Sequence, residues 1–348
     1  MREIKFLDLT NPPESVLEAV QEVAKSGWYV SGPQVERFER LWASFCGAAY
    51  CVACGSGGDA ITLAIKALNP PPGARIVIPA LTFAASAMAA LEAGTQPIYC
   101  DVDEHGLMNL EDAAHVAETE RAWGIMPVHL YGQLVDMERV MEIAVALRLR
   151  VIEDAAQAHG SITSVSGDAA CFSFYPGKNL GAFGEAGAVV TNNEATANLV
   201  QAIANYGVLK GKKYDHLLLG GNRRMDEIQA AVLATKLPFL GKWNARRQAI
   251  AGCYENAGVP SFVKGGNYHL YPVKVSEPMW VRAKMKAAGI ATGQHYPTLL
   301  PEQPPLFMPG NWPMAVTIAR HHLTLPMGPH LSDDDVAYAA RKFLEVTK

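Results

Sequence analysis

YCVACGSGGDAITLAIKALNPPPGARIVIP, residues 50–79, reads as a strand, a glycine-rich turn, a helix and a second strand. The ends, YCVAC (50–54) and RIVIP (75–79), are short, continuous and apolar, the pattern of strands buried on both faces. Between them Ile61, Ile65 and Leu68 share one face of a helix over 58–68. Similar runs follow at PIYCD (97–101), GIMPV (124–128), RVIED (150–154), ACFSF (170–174) and GAVVT (187–191). Residues 136–148 carry Met137, Val140, Met141, Ala144 and Leu147 at helical spacing. This alternation predicts an α/β fold with a seven-stranded, mostly parallel sheet between helices.

Two helices precede the sheet. One carries Val16, Val20 and Val23 and stops at Gly27; the other carries Val35, Phe38, Leu41, Trp42 and Phe45 and stops at Gly47. Beyond Thr191 helical patterns dominate, and Asp226 is placed to cap a helix beginning DEIQAAVL. The segment 241–348 reads as a small α+β unit. It has one strand candidate (YHLYPVKV, 268–275), a helix opened by Pro278 and ended by Gly289, and a long Pro/Gly-rich loop at 297–313. A last helix begins at Ser332, with Asp335 as capping-box partner. The expected division is a large domain, 1–240, and a smaller C-terminal domain, 241–348. No internal repeat or low-complexity segment interrupts it.

The 348 residues, 49% of them hydrophobic, can fill a sizeable core. Thirty basic against 34 acidic residues leave −4, which gives no electrostatic reason to expect a nucleic-acid partner. No run of about 18 apolar residues is free of charge, so no transmembrane helix is expected. The start, MREIKFLDLTNPPES, lacks the apolar core of a secretory signal. Six cysteines are too few for a disulfide scaffold in a chain of this length, and a reducing, cytoplasmic setting is expected.

Three features carry chemistry. Gly55–Ala60 formally matches the dinucleotide fingerprint G-x-G-x-x-A, but no acid occurs between Asp59 and Glu92 to hold a ribose about 20 residues on. What survives is a glycine-rich turn at a helix N-terminus, which presents backbone N–H groups to a phosphate or is simply a tight turn. Asp154 ends a strand, where parallel sheets bind ligands; its carboxylate could keep a heterocycle nitrogen protonated or merely cap the next segment. Lys178 sits in a turn crowded with glycine and aromatics (FSFYPGKNLGAFG); apolar surroundings would lower its pKa towards the nucleophilic amine. Phe172 stands where a first Walker glycine would be, so Lys178 is not a P-loop lysine. Cys51 and Cys54 would face opposite sides of a strand and read as core, His321 and His322 would diverge on a helix, and Trp28-Tyr29 could line a pocket or a helix–helix turn.

Several segments together identify a family. GWYVSGPQVERFE (27–39), SGGDAI (56–61), IPALTFAAS (78–86), CDVDE (100–104), PVHLYGQLVDM (127–137), IEDAAQAHG (152–160), GDAACFSFYPGKNLGAFGEAGAVVT (167–191), NRRMDEIQAAVL (222–233) and GIATGQHYP (289–297) run in order through most of the chain. The chain resembles the DegT/DnrJ/EryC1/StrS aminotransferases, pyridoxal-phosphate sugar aminotransferases of fold type I. The resemblance implies that Lys178 forms the Schiff base with the cofactor and moves the proton, and that Asp154 pairs with the pyridine nitrogen. It implies that Gln157 lies near the phenolic oxygen and Phe83 stacks on the ring. Gly57, Gly58 and Asp59 would form the phosphate loop, Ser173 would add a hydroxyl, and Asn222 would reach the phosphate of the neighbouring subunit in a homodimer with shared active sites.

The implied reaction moves an amino group from glutamate or glutamine to a keto-sugar, a nucleotide-linked 3- or 4-keto deoxysugar, through a Lys178 aldimine and a pyridoxamine phosphate form. A cyclitol ketone is the runner-up acceptor. A non-catalytic cofactor-binding regulator is the rival, and it would be expected to lack Lys178 or Asp154. Some relatives carry histidine at the lysine position and run dehydrations; this chain has Lys178. It departs from the usual pattern at Gly58, where a phosphate hydroxyl is missing, and at Gly221, which replaces an aromatic. The stretch 161–167 is shortened, and Pro301 stands near where a histidine is frequent.

Overall fold

A computed structural model describes residues 2–209 and 211–348. Seven segments form the main sheet among these residues: β1 (Tyr50–Cys54), β2 (Arg75–Pro79), β3 (Gln96–Cys100), β4 (Gly124–Ile125), β5 (Arg150–Asp154), β6 (Ala169–Ser173) and β7 (Gly187–Thr191). Their spatial order is β1-β7-β6-β5-β4-β2-β3. Only β7 runs antiparallel to its neighbours, β1 and β6; the other pairings are parallel. The expected α/β class and mostly parallel seven-stranded sheet are therefore what the chain adopts. The run expected over 124–128 is cut to two paired residues. Pro127 has no N–H to extend the ladder, although its carbonyl still accepts from Asp154 N–H at 2.9 Å.

Helices cover both faces. Before the sheet come α1 (Glu14–Ser26) and α2 (Pro33–Phe45). Between strands lie α3 (Gly57–Ala67), α4 (Ala85–Glu92), α5 (Leu110–Thr119) and α6 (Met137–Leu147), and after β7 come α7 (Glu194–Ala204), α8 (Glu227–Lys236) and α9 (Leu240–Asn256). Alternate strand residues pack to opposite sides, as period two requires. Val52, Ile76, Ile78, Ile152, Cys171 and Val189 join one core with α3, α4 and α7. On the other side Ala53, Ala170, Phe172 and Val190 meet α2 and α8, and Val77, Ile98, Ile125 and Val151 meet α5 and α6. Cys54 and Cys51 fall on opposite sides. The helix stripes are less fully buried than their spacing suggests, since Leu41 and Phe45 stay more than a third exposed.

One long-range contact fixes how the chain enters the sheet. The N-cap of α2 is Gly32, which has no side chain to cap with. Instead the buried carboxylate of Glu227, at the start of α8, accepts from Gly32, Gln34 and Val35 N–H at 2.8, 2.7 and 3.2 Å. An anion is stabilised at a helix N-terminus by these unpaired donors and by the helix dipole. Asp226 caps α8 itself by accepting from Gln229 N–H at 2.9 Å.

The C-terminal part contains β8 (Tyr271–Lys274), α10 (Pro278–Ala287), α11 (Pro313–Arg320), β9 (His322–Leu325) and α12 (Asp333–Thr347). β8 and β9 pair antiparallel. The long loop ends where α11 begins, and it contains two single 3₁₀ turns, Leu300–Glu302 and Pro304–Leu306. The expectation that His321 and His322 share a helix is corrected. His321 is the C-cap just beyond α11, whereas His322 opens β9 and is fully buried. A four-residue strand directly after a helix is too short to show its own period. Ser332 and Asp335 form the expected capping box on α12. The N-terminal segment joins this region, with Ile4 N–H bonded to Gly289 O and Ala291 N–H to Ile4 O at 2.8 and 3.0 Å. No described helix is long and apolar enough to cross a membrane.

Replacing Glu227 with alanine leaves three backbone donors of α2 without their acceptor. Urea unfolding is expected to show a loss of about 3 kcal/mol, with Glu227→Gln intermediate.

Candidate active site

The carboxyl ends of β2, β5 and β6 and the N-terminus of α3 bring most of the singled-out residues to one edge of the sheet. Asp154 is the last residue of β5 and is 5% exposed. Its Oδ1 accepts from Ala156 N–H at 3.1 Å, and its Oδ2 accepts from Ser86 O–H at 2.7 Å. Ser86 lies in the first turn of α4, three residues beyond Phe83, and its hydroxyl is 3.3 Å from that of Thr82. One turn therefore presents an aromatic ring and anchors a buried acid. Phe83 is 57% exposed, its ring centroid 5.6 Å from that of Tyr296.

Lys178 follows β6, with its backbone N–H on Tyr175 O. The side chain is half-buried and its amine makes no hydrogen bond among the described residues. Burial pulls its pKa down to about 8, against the opposing pull of the Asp154 charge. Desolvation outweighs attraction here, so an appreciable fraction of the amine is neutral near pH 8. Behind it Asn179 donates to Asn244 Oδ1 at 2.9 Å and faces His269 Nδ1 at 3.0 Å. His159, fully buried, has Nε2 2.8 Å from Ser173 O, and burial followed by the Lys178 charge lowers it to about 3. It is a neutral ring donating to a carbonyl.

α3 begins over the ends of β6 and β7. A Cβ on Gly57 would lie 2.6 Å from Ser173 Cβ, and one on Gly187 would lie 2.1 Å from Ser56 O. Glycine is required at both positions because backbones approach too closely for any side chain. Ser56 caps α3 by accepting from Asp59 N–H and donates to Asp59 Oδ2, both at 3.0 Å. Asp59 also pairs with Arg223, which bridges to Glu92. Its charge is thus offset at the helix end where an anion would bind. Gly58 has open space, the nearest atom to an added Cβ being Ser56 Oγ at 3.8 Å.

Gln157, 5% exposed, follows β5; its Oε1 accepts from Tyr131 N–H at 2.6 Å and its Nε2 donates to Tyr296 O–H at 3.3 Å. Asn222 stands apart. It is exposed, its Oδ1 accepts from Arg224 Nε at 3.1 Å, and among the described residues it makes no hydrogen bond to the other singled-out residues. Ser86, Thr82, Tyr131, Arg223, His295 and Tyr296 also build this edge without having been singled out. For Ser86 a signal existed in its helical spacing from Phe83; for Arg223 and Tyr131 there was none, since their partners are more than 20 residues away in sequence.

These groups fit pyridoxal phosphate: a neutral-capable amine, a buried acid to face a ring nitrogen, an exposed aromatic face and a helix N-terminus with room for an anion. Pulse acylation with residue-resolved mass spectrometry is expected to give Lys178 a reactivity midpoint near pH 8, because the neutral amine reacts. Lys25, raised by Glu22, stays well above that. Lys236, also lowered to about 8, is bonded to Gly181 O at 2.7 Å and serves as the second reference.

Comparison with known proteins agrees with this geometry. A sequence model of the DegT/DnrJ/EryC1/StrS aminotransferase family matches residues 12–344. The dTDP-3-amino-3,4,6-trideoxy-alpha-D-glucose transaminase of Streptomyces venezuelae is 38% identical over 353 residues, covering 94% of this chain and 92% of that protein. The UDP-2-acetamido-2-deoxy-3-oxo-D-glucuronate aminotransferase of Pseudomonas aeruginosa is 34% identical, covering 94% and 96%. The crystal structure of NtdA from Bacillus subtilis with bound cofactor PMP superposes with a TM-score of 0.92 at 28% identity, covering 100% of this chain and 86% of that one. The strand-end acid, the desolvated lysine and the glycine-bounded helix start thus lie in a fold type I enzyme, and the chain belongs to the DegT/DnrJ/EryC1/StrS aminotransferase family.

Proposed function

We propose that this aminotransferase transfers the amino group of glutamate or glutamine to a nucleotide-linked 3- or 4-keto deoxysugar, with pyridoxal 5′-phosphate held by Lys178. The observation that carries the reading is the desolvated Lys178 amine, lowered to about 8, beside the buried Asp154 carboxylate. Two relatives whose names specify amino or oxo groups at carbon 3 of nucleotide-linked sugars support the acceptor class.

When bound, the cofactor supplies an electron sink for a substrate carbanion. The chain supplies binding and proton handling. Asp154, acceptor-only when ionised, would hold a proton on the ring nitrogen. The Lys178 amine would take a proton from the substrate Cα and return it to the cofactor's C4′, across the shared nitrogen. Gln157 would donate from Nε2 towards the phenolic oxygen, and Phe83 would cover one ring face. The N–H groups of Gly57 and Gly58, with the Ser173 hydroxyl, would hold the phosphate, and Asp59, whose N–H is held by Ser56, would close the loop. Asn222, exposed and apart from the other site residues of its own chain, would complete the phosphate site of a second copy, which makes the working unit a homodimer. Division at residue 240, between a cofactor-binding domain and a smaller C-terminal domain, and a cytoplasmic location belong to the same reading.

The purified protein, supplied with pyridoxal phosphate, is expected to be yellow and to bleach on addition of L-glutamate. A yellow band that glutamate leaves unchanged would refute the donor; no band at all would refute the cofactor. Lys178→Ala is expected to lose the band and to slow amino transfer by about 10²–10⁴-fold. Gly58→Ser places a hydroxyl in open space beside the phosphate loop and is expected to tighten cofactor binding by about tenfold, read by fluorescence titration.

A further inference from the structure

Tyr131 holds a backbone conformation that side chains rarely adopt, φ 62° and ψ 3°, and is fully buried. An L-residue there is unfavourable without strong surroundings. The surroundings are specific. The ring packs edge-on to Phe262 at 5.8 Å, and a Cβ on Gly106 would come within 3.2 Å of it. Gly132, at φ 93°, cannot carry a side chain, since a Cβ would lie 1.9 Å from Asn267 Oδ1.

Both polar donors of Tyr131 are spent on the walls of the site. The backbone N–H donates to Gln157 Oε1 at 2.6 Å, and the hydroxyl donates to His295 O at 2.5 Å. A primary amide has one acceptor end and one donor end. With the acceptor end on a backbone N–H, the donor end must face the other way; the flipped amide would set two donors against each other. Gln157 Nε2 accordingly donates to Tyr296 O–H at 3.3 Å. Burial, and then the Asp154 charge, push the Tyr296 phenol up, so it keeps its proton. Because its oxygen already accepts from Gln157, that proton is free to be donated elsewhere. Tyr296 stands beside His295, whose carbonyl Tyr131 holds, and its ring faces Phe83.

We propose that Tyr131 is a positioning residue for the reaction: its N–H sets the direction of the Gln157 amide, and its hydroxyl pins the 295–296 segment, so that Gln157 and Tyr296 keep a fixed separation. The consequence for catalysis rests on the aminotransferase reading above. The bonds themselves are open to test without added cofactor.

Residue-resolved hydrogen exchange on the protein as purified is the first measurement. Tyr131→Phe retains the ring and the N–H and removes one bond. Exchange at the His295 amide, which donates to His322 Nε2 at 2.9 Å, is expected to quicken about tenfold, while β8 and β9 amides and the melting temperature stay near wild type. In Gln157→Glu the carboxylate still accepts, so the Tyr131 amide stays protected; in Gln157→Leu it exchanges at least about tenfold faster. With pyridoxal phosphate bound, the L-glutamate concentration for half-maximal bleaching is expected to rise about tenfold in Tyr131→Phe, with a limiting rate within about threefold of wild type. Unchanged exchange at the His295 amide, or acceleration spread evenly over β5, β8 and β9, would make Tyr131 a packing residue and overturn the proposal. So would equal loss of Tyr131 protection in both Gln157 variants, or an unchanged half-maximal concentration in Tyr131→Phe. A wild-type protein that never bleaches would instead refute the functional reading and leave the exchange results to decide the role of Tyr131.

Discussion

The carboxylate of Asp154 has to be kept at the desolvated end of β5, and much of the surrounding structure serves that constraint. A buried carboxylate is costly unless its oxygens are met by donors or a cation. Here Ser86 and Ala156 supply the donors, and Lys178 supplies a cation only in part, because burial draws its amine towards neutrality. Burial thus leaves a base that can lose its proton on the same edge as the Asp154 oxygens. Moving Lys178 into water would restore its ordinary basicity, and removing Ser86 would leave one carboxylate oxygen without its donor.

The sheet makes such a meeting possible because parallel strands deliver their carboxyl ends to one edge. β5 brings Asp154 and Gln157, β6 brings Ser173 and Lys178, and the turn after β2 brings Phe83 and Ser86. The helix start at Gly57 lies over the same edge because two glycines, 57 and 187, allow backbones to touch. On the opposite face Glu153 acts wholly inside the fold, where it accepts from Ser166 and Gly167 N–H and faces His129 Nε2. Adjacent acids in one strand thus point to opposite sides, one into the core and one to the site, as period two dictates.

The strands were legible because each is a short apolar run with turn residues at its ends, and six of the seven expected runs were found at or within one residue of their expected bounds. GIMPV was overread because its proline removes a donor that apolarity alone does not report. α11 and β9 were missed for a related reason: an eight-residue helix followed at once by a four-residue strand gives too few turns for either period to emerge. Among the site residues, those carried by local motifs, such as Asp154 and Lys178, could be named from the chain. Tyr131 and Arg223 could not, since their partners lie 26 and 164 residues away.

Composition and pattern by themselves determined the α/β class, the succession of the main-sheet strands and the residue types able to do nitrogen chemistry, because hydrophobic period and turn chemistry are local properties of the chain. Tertiary structure alone decided that Glu227 caps a helix nearly 200 residues earlier, that Arg223 offsets Asp59, and that Gln157 presents its donor end to Tyr296. The reason is physical. Burial, amide orientation and the strength of a charge depend on which distant groups exclude water around them, and folding brings those groups together across separations that no sequence window spans.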